Sequence, residues 1–118
     1  MKHILIISKN SPYTGQSLRE SLDTVLIFAA IDQKVTWLLE GDAVFALAPA
    51  QDPKSLQHKD FTKAIKMLEI YDVDDVYVCT KSIAARGLNQ SSLTIDTLGA
   101  DFAQKQALLS QADHVVVL

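Results

Sequence analysis

The feature that most constrains the fold is an alternation of short apolar runs with segments of helical period. The runs are rich in Val, Ile and Leu and are four to eight residues long, which is typical of buried strands. This order, strand then helix repeated along the chain, predicts an α/β fold: three layers, with helices on both faces of a five-stranded, mainly parallel sheet. The predicted strands are residues 1–8, 34–40, 74–80, 92–96 (a weak edge strand) and 114–118.

Three longer segments between these strands predict helices. The first begins at "SLRE", where Ser17 and Glu20 fit a capping box, and is expected to end near Ile31. Its apolar residues cover such a wide arc that we expect more than one neighbour to cover them. The second is predicted over residues 59–71 and the third over 99–111. Shorter helices are expected at 41–48 and at 81–88, the latter ended by Gly87.

Length and composition narrow the class of protein. A chain of 118 residues with 48% hydrophobic residues and one cysteine indicates one globular domain without an internal disulfide. The longest apolar run, Val25 to Ile31, is too short to cross a bilayer, and no secretory signal is seen, so we expect a cytoplasmic protein without membrane contact. The net charge of −3 and the lack of a basic cluster argue against direct nucleic-acid binding.

No motif in the sequence indicates a cofactor or a metal. The chain contains neither a dinucleotide-binding glycine motif nor a phosphate-binding loop sequence. The three histidines are scattered, and their spacing does not resemble a metal site. We therefore expect no cofactor and no bound metal.

Cys79 is the candidate functional residue. It stands at the end of the third predicted strand, and ligands of such folds bind outside the carboxyl ends of parallel strands. A helix is predicted to begin next, with Thr80 or Ser82 as its cap, and both the helix N-terminus and Lys81 would favour a thiolate. The alternative is that Cys79 is a small apolar side chain in the core, as cysteines often are.

Four stretches of the sequence carry a resemblance to a known family. "SPYTGQSLRESLDTVLIFAAIDQKVTWLLEGDAVFAL" resembles the first half of the DsrE/DsrF-like proteins, with a Pro-containing loop, an R-E-x-L-D helix and a strand followed by G-D. "VYVCTKSIAARGL" resembles their second landmark, a strand ending in Cys before a short helix closed by R-G. "LAPAQDP" and "KMLEIYDVDDVYVC" are similar to the TusC (DsrF-type) subunits of that family. The resemblance covers essentially residues 1–118 as one domain, and it implies the strand order 4-3-2-1-5.

The resemblance also implies a function. TusC-like subunits assemble with TusB-like and TusD-like subunits into a heterohexamer with two copies of each. That complex receives persulfide sulfur from carrier proteins and passes it toward 2-thiolation of the wobble uridine in tRNA. The sulfur-carrying cysteine of the family lies on the TusD-like subunit, at the position that Cys79 occupies here. "CTKS" departs from the TusD pattern through Lys81 and Ser82, so the expected role of this chain is structural or accessory.

Two alternatives belong to other classes of protein. The first is a stand-alone persulfide sulfurtransferase that uses Cys79 directly, since a sulfur carrier needs a nucleophilic thiolate. The second is a homo-oligomer of the same fold that binds a small molecule.

Overall fold

A five-stranded parallel sheet organises the chain. The computed structural model describes residues 2–11, 17–48 and 65–118. Within those ranges the strands lie side by side in the order β4-β3-β2-β1-β5, and every neighbouring pair is parallel. Both the fold class and the predicted strand order are confirmed. The strands are β1 (His3–Ser8), β2 (Lys34–Leu39), β3 (Val76–Cys79), β4 (Leu98–Ala100) and β5 (His114–Val117).

The predicted position of the fourth strand was wrong. Residues 92–96 do not form a strand, and β4 lies further along the chain at Leu98–Ala100, where it pairs with β3. Two contacts explain the difference. Leu93 and Ile95 lie in an irregular segment and pack against the larger of two hydrophobic cores, the one that contains Leu22 and Trp37. The N–H of Thr94 donates to the carbonyl of Leu47 at 2.8 Å. The segment is therefore bound to the 3₁₀ helix after β2.

Helices connect the strands. They are α1 (Ser17–Ala30), α2 (residues 65–70), α3 (Thr80–Ala85) and α4 (Phe102–Gln111), with 3₁₀ helices at Gly41–Leu47 and Gln90–Ser92. The first part of the predicted second helix and the side chain of Ser17 lie outside the described residues. Gly87 follows α3 with φ +65°, and its N–H donates to the carbonyl of Ala84, as predicted for a glycine that ends a helix.

Side chains at alternate positions of each strand are buried on opposite faces of the sheet. On one face, Leu18, Leu22 and Val25 of α1 pack into the larger core. On the other face a smaller cluster is completed by Leu108 of α4. This cluster consists of Leu5, Ile7, Leu38, Ala100 and Leu108. Helices on both faces were predicted, and the structure confirms them.

The wide apolar surface predicted for α1 is only partly covered. Leu26, Phe28 and Ala29 pack against the larger core, at its margin. Ile27 and, just beyond the helix, Ile31 are 62% and 58% exposed. No helix in the described ranges is long and apolar enough to cross a membrane.

Candidate functional site

Cys79 lies at the carboxyl edge of the sheet, where three elements meet. It is the last residue of β3 and the N-cap of α3, and it is only 4% exposed. Val78 pairs with Leu39, so Glu40, the residue after β2, lies beside the end of β3. Ala100 at the end of β4 pairs with Cys79 itself, and α4 begins two residues later. The parallel register therefore brings groups from distant parts of the chain to the thiol.

Glu40 and Lys105 form the charged part of this site. The Nζ atom of Lys105 on α4 lies 3.0 Å from Oε2 of Glu40. The other carboxylate oxygen, Oε1, lies 3.6 Å from Nζ of Lys9, the residue after β1. The Lys105 and Glu40 side chains are 25% and 21% exposed, so this pair is better shielded from water than a surface ion pair.

Ser82 forms the polar part of the site. Its hydroxyl accepts a hydrogen bond of 2.9 Å from the N–H of Gly41 and interacts with the thiol of Cys79. The predicted role of Ser82 or Thr80 as helix cap was wrong, because α3 begins one residue after Cys79 and Cys79 occupies the cap position. The Cys79 side chain accepts no cap hydrogen bond, but the nearby N–H of Ser82 stabilises negative charge on the sulfur.

The local backbone keeps Ser82 in place. Gly41 has φ +57°, and a β-carbon there would lie 3.3 Å from the carbonyl oxygen of Lys9. Glycine therefore allows the chain to turn after β2 and to direct its N–H at Ser82. Arg86 also helps to hold Ser82, since it donates to the carbonyl of Ser82 at 3.2 Å and pairs with Asp42 of the 3₁₀ helix at 3.0 Å.

The environment of Cys79 favours its ionised form. Burial by itself raises the pKa of the thiol. The hydrogen bonds from Lys105 and Ser82, together with the charge of Lys105, outweigh burial, so the pKa of Cys79 lies below its usual value. Lys105 shows the reciprocal effect: burial lowers its pKa, but its bonds to Cys79 and Glu40 raise that pKa above the usual value.

The cation predicted from the sequence was the wrong lysine. Lys81 is exposed on α3, and the lysine that interacts with Cys79 is Lys105. One signal in the sequence could have indicated it. Lys105 precedes Leu108 by three residues and Ala112 by seven, so it lies on the apolar side of α4, where a charged residue needs a partner. Cys79 is therefore buried, as in the structural interpretation, and its surroundings favour the thiolate; a functional role of the thiol stays a prediction.

No group of three or more His, Cys, Asp and Glu side chains in the described residues is arranged to hold a metal ion. The groups that act on the Cys79 sulfur itself are a cation and hydrogen-bond donors, from Lys105 and Ser82. Such an arrangement stabilises an anionic sulfur.

Comparisons with known proteins agree with this architecture. The model of the DsrE/DsrF-like family matches residues 2–118. Similar sequences include the Protein TusC homolog of Pseudomonas aeruginosa, 39% identical over 115 residues that cover 98% of this chain and 97% of that protein. The Protein TusC homolog of Vibrio parahaemolyticus is 31% identical over 116 residues, with 98% of both chains covered. The crystal structure of the ychN protein from E. coli has the same fold, with a TM-score of 0.85 over 100% of both chains at 22% identity.

Proposed function

This chain belongs to the DsrE/DsrF-like family, and we propose that it is a subunit of a sulfur-relay complex of the TusBCD type. In this proposal the complex passes persulfide sulfur toward 2-thiolation of the wobble uridine in tRNA, in the cytoplasm. The observation that carries the proposal is the similarity to TusC homologs over nearly the whole chain. The stabilised thiolate at the carboxyl edge of the sheet is consistent with sulfur chemistry.

Within that complex we assign this chain an accessory role. Sulfur moves between carriers when a thiolate attacks the terminal sulfur of a persulfide, which requires the attacking sulfur to reach its donor. Cys79 is 4% exposed, so a donor protein has little access to it. A sister subunit with a more accessible cysteine would carry the sulfur, and this chain would support the assembly.

The exposed apolar residues of α1 support an assembly with other subunits. Ile27 and Ile31 lie one helical turn apart, and more than half of each side chain is exposed. Exposure of two neighbouring isoleucines to water is unfavourable, and their burial against a protein partner would be favourable. We propose TusB-like and TusD-like subunits as the partners, in a heterohexamer.

One observation favours a second candidate, a persulfide sulfurtransferase that uses Cys79 directly. Lys105 and Ser82 stabilise the thiolate of Cys79, which a purely structural cysteine would not require. In that reaction the thiolate attacks the terminal sulfur of a donor persulfide. A new S–S bond forms to Cys79, the S–S bond of the donor breaks, and the donor leaves as a thiolate, with no net oxidation.

An experiment on the assembled complex separates the two candidates. The chain is co-expressed with TusB-like and TusD-like subunits, the complex is supplied with labelled persulfide sulfur, and each subunit is examined by mass spectrometry. The accessory role predicts that Cys79 remains unlabelled and that a Cys79→Ser complex still transfers sulfur and supports 2-thiouridine in tRNA. Label on Cys79 together with loss of transfer in the variant would favour the sulfurtransferase.

Co-purification tests the assembly itself. We expect the chain to be recovered with both partner subunits in equal amounts. Recovery of this chain alone as a homo-oligomer would contradict the heterohexamer and favour the small-molecule-binding alternative.

A further inference from the structure

A partly buried ion pair, Lys105–Glu40, lies beside Cys79. Lys9 and Lys105 share the single carboxylate of Glu40, one lysine on each oxygen. The Lys9 side chain is 58% exposed, so water screens its charge, whereas the Lys105 side chain is only 25% exposed. Since the Lys105–Glu40 pair is about three-quarters shielded from water, the charge of Lys105 acts on the neighbouring sulfur with less screening than on an open surface.

The other charged groups near Cys79 either have partners of their own or are exposed to water. On the side of the 3₁₀ helix, Asp42 pairs with Arg86 of α3 at 3.0 Å. At the start of α4, Asp101 accepts a hydrogen bond of 2.8 Å from the N–H of Gln104 and caps the helix. On α3, Lys81 is exposed to water. Among the described residues, Lys105 is therefore the cation that acts on the sulfur.

The fold fixes Lys105 at both ends of its side chain. Its backbone lies in the first turn and a half of α4, where its N–H donates to the carbonyl of Asp101 at 3.0 Å. One turn later Leu108 is buried against the sheet, so the helix cannot turn Lys105 away without exposing that leucine. At the other end, Glu40 holds the ammonium group at 3.0 Å.

We propose that Lys105, held by Glu40, is a positioning residue for sulfur transfer at Cys79, keeping the sulfur anionic before and after it accepts a sulfane sulfur atom. The ionisation part stands on the geometry of the site, and the sulfur-accepting part rests on the second candidate function, the persulfide sulfurtransferase that uses Cys79 directly. In the transfer, the Cys79 thiolate bonds to the terminal sulfur of the donor persulfide and the donor S–S bond breaks. The donor thiolate then takes up the proton of the new persulfide, and the resulting Cys79 persulfide anion replaces the thiolate beside Lys105.

The test begins with the ionisation of Cys79 in the full-length protein. The ultraviolet absorbance of the thiolate is followed as a function of pH, and the signal of Cys79→Ser is subtracted to remove the tyrosines. We expect Lys105→Met to raise the midpoint by about one pH unit or more. Lys105→Arg should recover most of this shift, because it restores the positive charge, and the matched control Lys81→Met should leave the midpoint unchanged.

The role of Glu40 is tested by the direction in which the ionisation midpoint of Cys79 shifts in Glu40→Ala. If it acted only as a negative charge, Glu40→Ala would lower the midpoint. Because we assign Glu40 the task of holding Lys105, we expect the midpoint to rise. A lowered midpoint would overturn its positioning role, and an unchanged midpoint in folded Lys105→Met would overturn the proposal as a whole. If Lys105→Met does not fold, as judged by circular dichroism, Lys105→Gln takes its place under the same criterion.

A second readout separates this proposal from the function on which it partly rests. Each variant is incubated with cysteine persulfide at several pH values, and the gain of one sulfur atom on Cys79 is measured by mass spectrometry. We expect the pH profile of sulfur uptake to move with the ionisation midpoint. If the midpoint shifts in Lys105→Met but even the unaltered protein takes up no sulfur at any pH, Lys105 still sets the ionisation of Cys79 and the sulfur-accepting role is lost.

Discussion

The indole N–H of Trp37 donates a hydrogen bond of 2.9 Å to the hydroxyl of Ser8, and both side chains are fully buried. Ser8 ends β1 and Trp37 lies within β2, so the bond links neighbouring central strands beneath the carboxyl edge of the sheet. A buried indole N–H without an acceptor is costly. Ser8 therefore allows the only tryptophan of the chain to occupy the core.

Ser8→Ala removes that acceptor. We expect the free energy of unfolding to fall by about 1–3 kcal/mol, because the indole N–H remains buried without a partner. Urea unfolding followed by Trp37 fluorescence measures the change. Ser110→Ala is the control, since its hydroxyl bonds to the carbonyl of Gln106 on an exposed part of α4, and it should stay within about 0.5 kcal/mol. Equal losses in the two variants would contradict the role of Ser8.

The stability contributed by Cys79 should increase with pH. Its pKa is lowered in the folded chain, so between that value and the usual thiol pKa the unfolded chain binds more protons than the folded one. This stability is complete above the unfolded pKa and is lost as the pH falls through the folded pKa. Urea unfolding of the unaltered protein and of Cys79→Ala under reducing conditions, at a series of pH values, should give curves that diverge as the pH rises across this interval. Curves that converge instead would contradict the stabilised thiolate.

Gly99 should not tolerate even a methyl group. A β-carbon there would lie 2.9 Å from Cγ2 of Thr80 and 3.1 Å from Oε1 of Gln90. Moving this methyl away requires rotation of the Thr80 side chain, which would break the 3.4 Å bond of its hydroxyl to the carbonyl of Ala100. We expect Gly99→Ala to destabilise the fold by about 1–3 kcal/mol. Adding Thr80→Ser, which removes the clashing methyl and keeps the hydroxyl, should restore part of the loss in thermal or urea unfolding, and no recovery would contradict this contact.

Ile27 on α1 should matter for assembly and not for folding. The side chain is 62% exposed, so Ile27→Glu is expected to leave the free energy of unfolding of the isolated chain within about 0.5 kcal/mol. In the proposed complex it would place a charge in an apolar interface and reduce co-purification of the partner subunits at least several-fold. Ala103→Glu introduces the same side chain at an exposed position of α4 and serves as the control. Unchanged recovery of both partners with Ile27→Glu would exclude this part of α1 from the interface.

The periodicity of the sequence was informative wherever a whole face of an element is buried. Ile4 and Ile6 of β1, and Leu22 and Val25 of α1, repeat at the spacing of a strand and of a helix, and all four are buried as expected. The prediction failed for β4. Leu93 and Ile95 alternate with polar residues as in a strand, but they lie in an irregular segment and pack against the larger core from there. Local pattern cannot distinguish these two uses, since both bury the same side chains.

The sequence by itself determined the α/β fold, the position of Cys79 at the end of a strand, and the family, because each depends on the local order of residue types. Only the tertiary structure decided which groups surround the thiol. Glu40 follows β2, Ser82 lies in α3 and Lys105 in α4, and they meet because the parallel register aligns the ends of β2, β3 and β4. The adjacent Lys81 extends into water, whereas Lys105 reaches the sulfur from a helix that follows another strand. Electrostatic effects depend on distance in space and on shielding from water, and the chain order of two residues fixes neither.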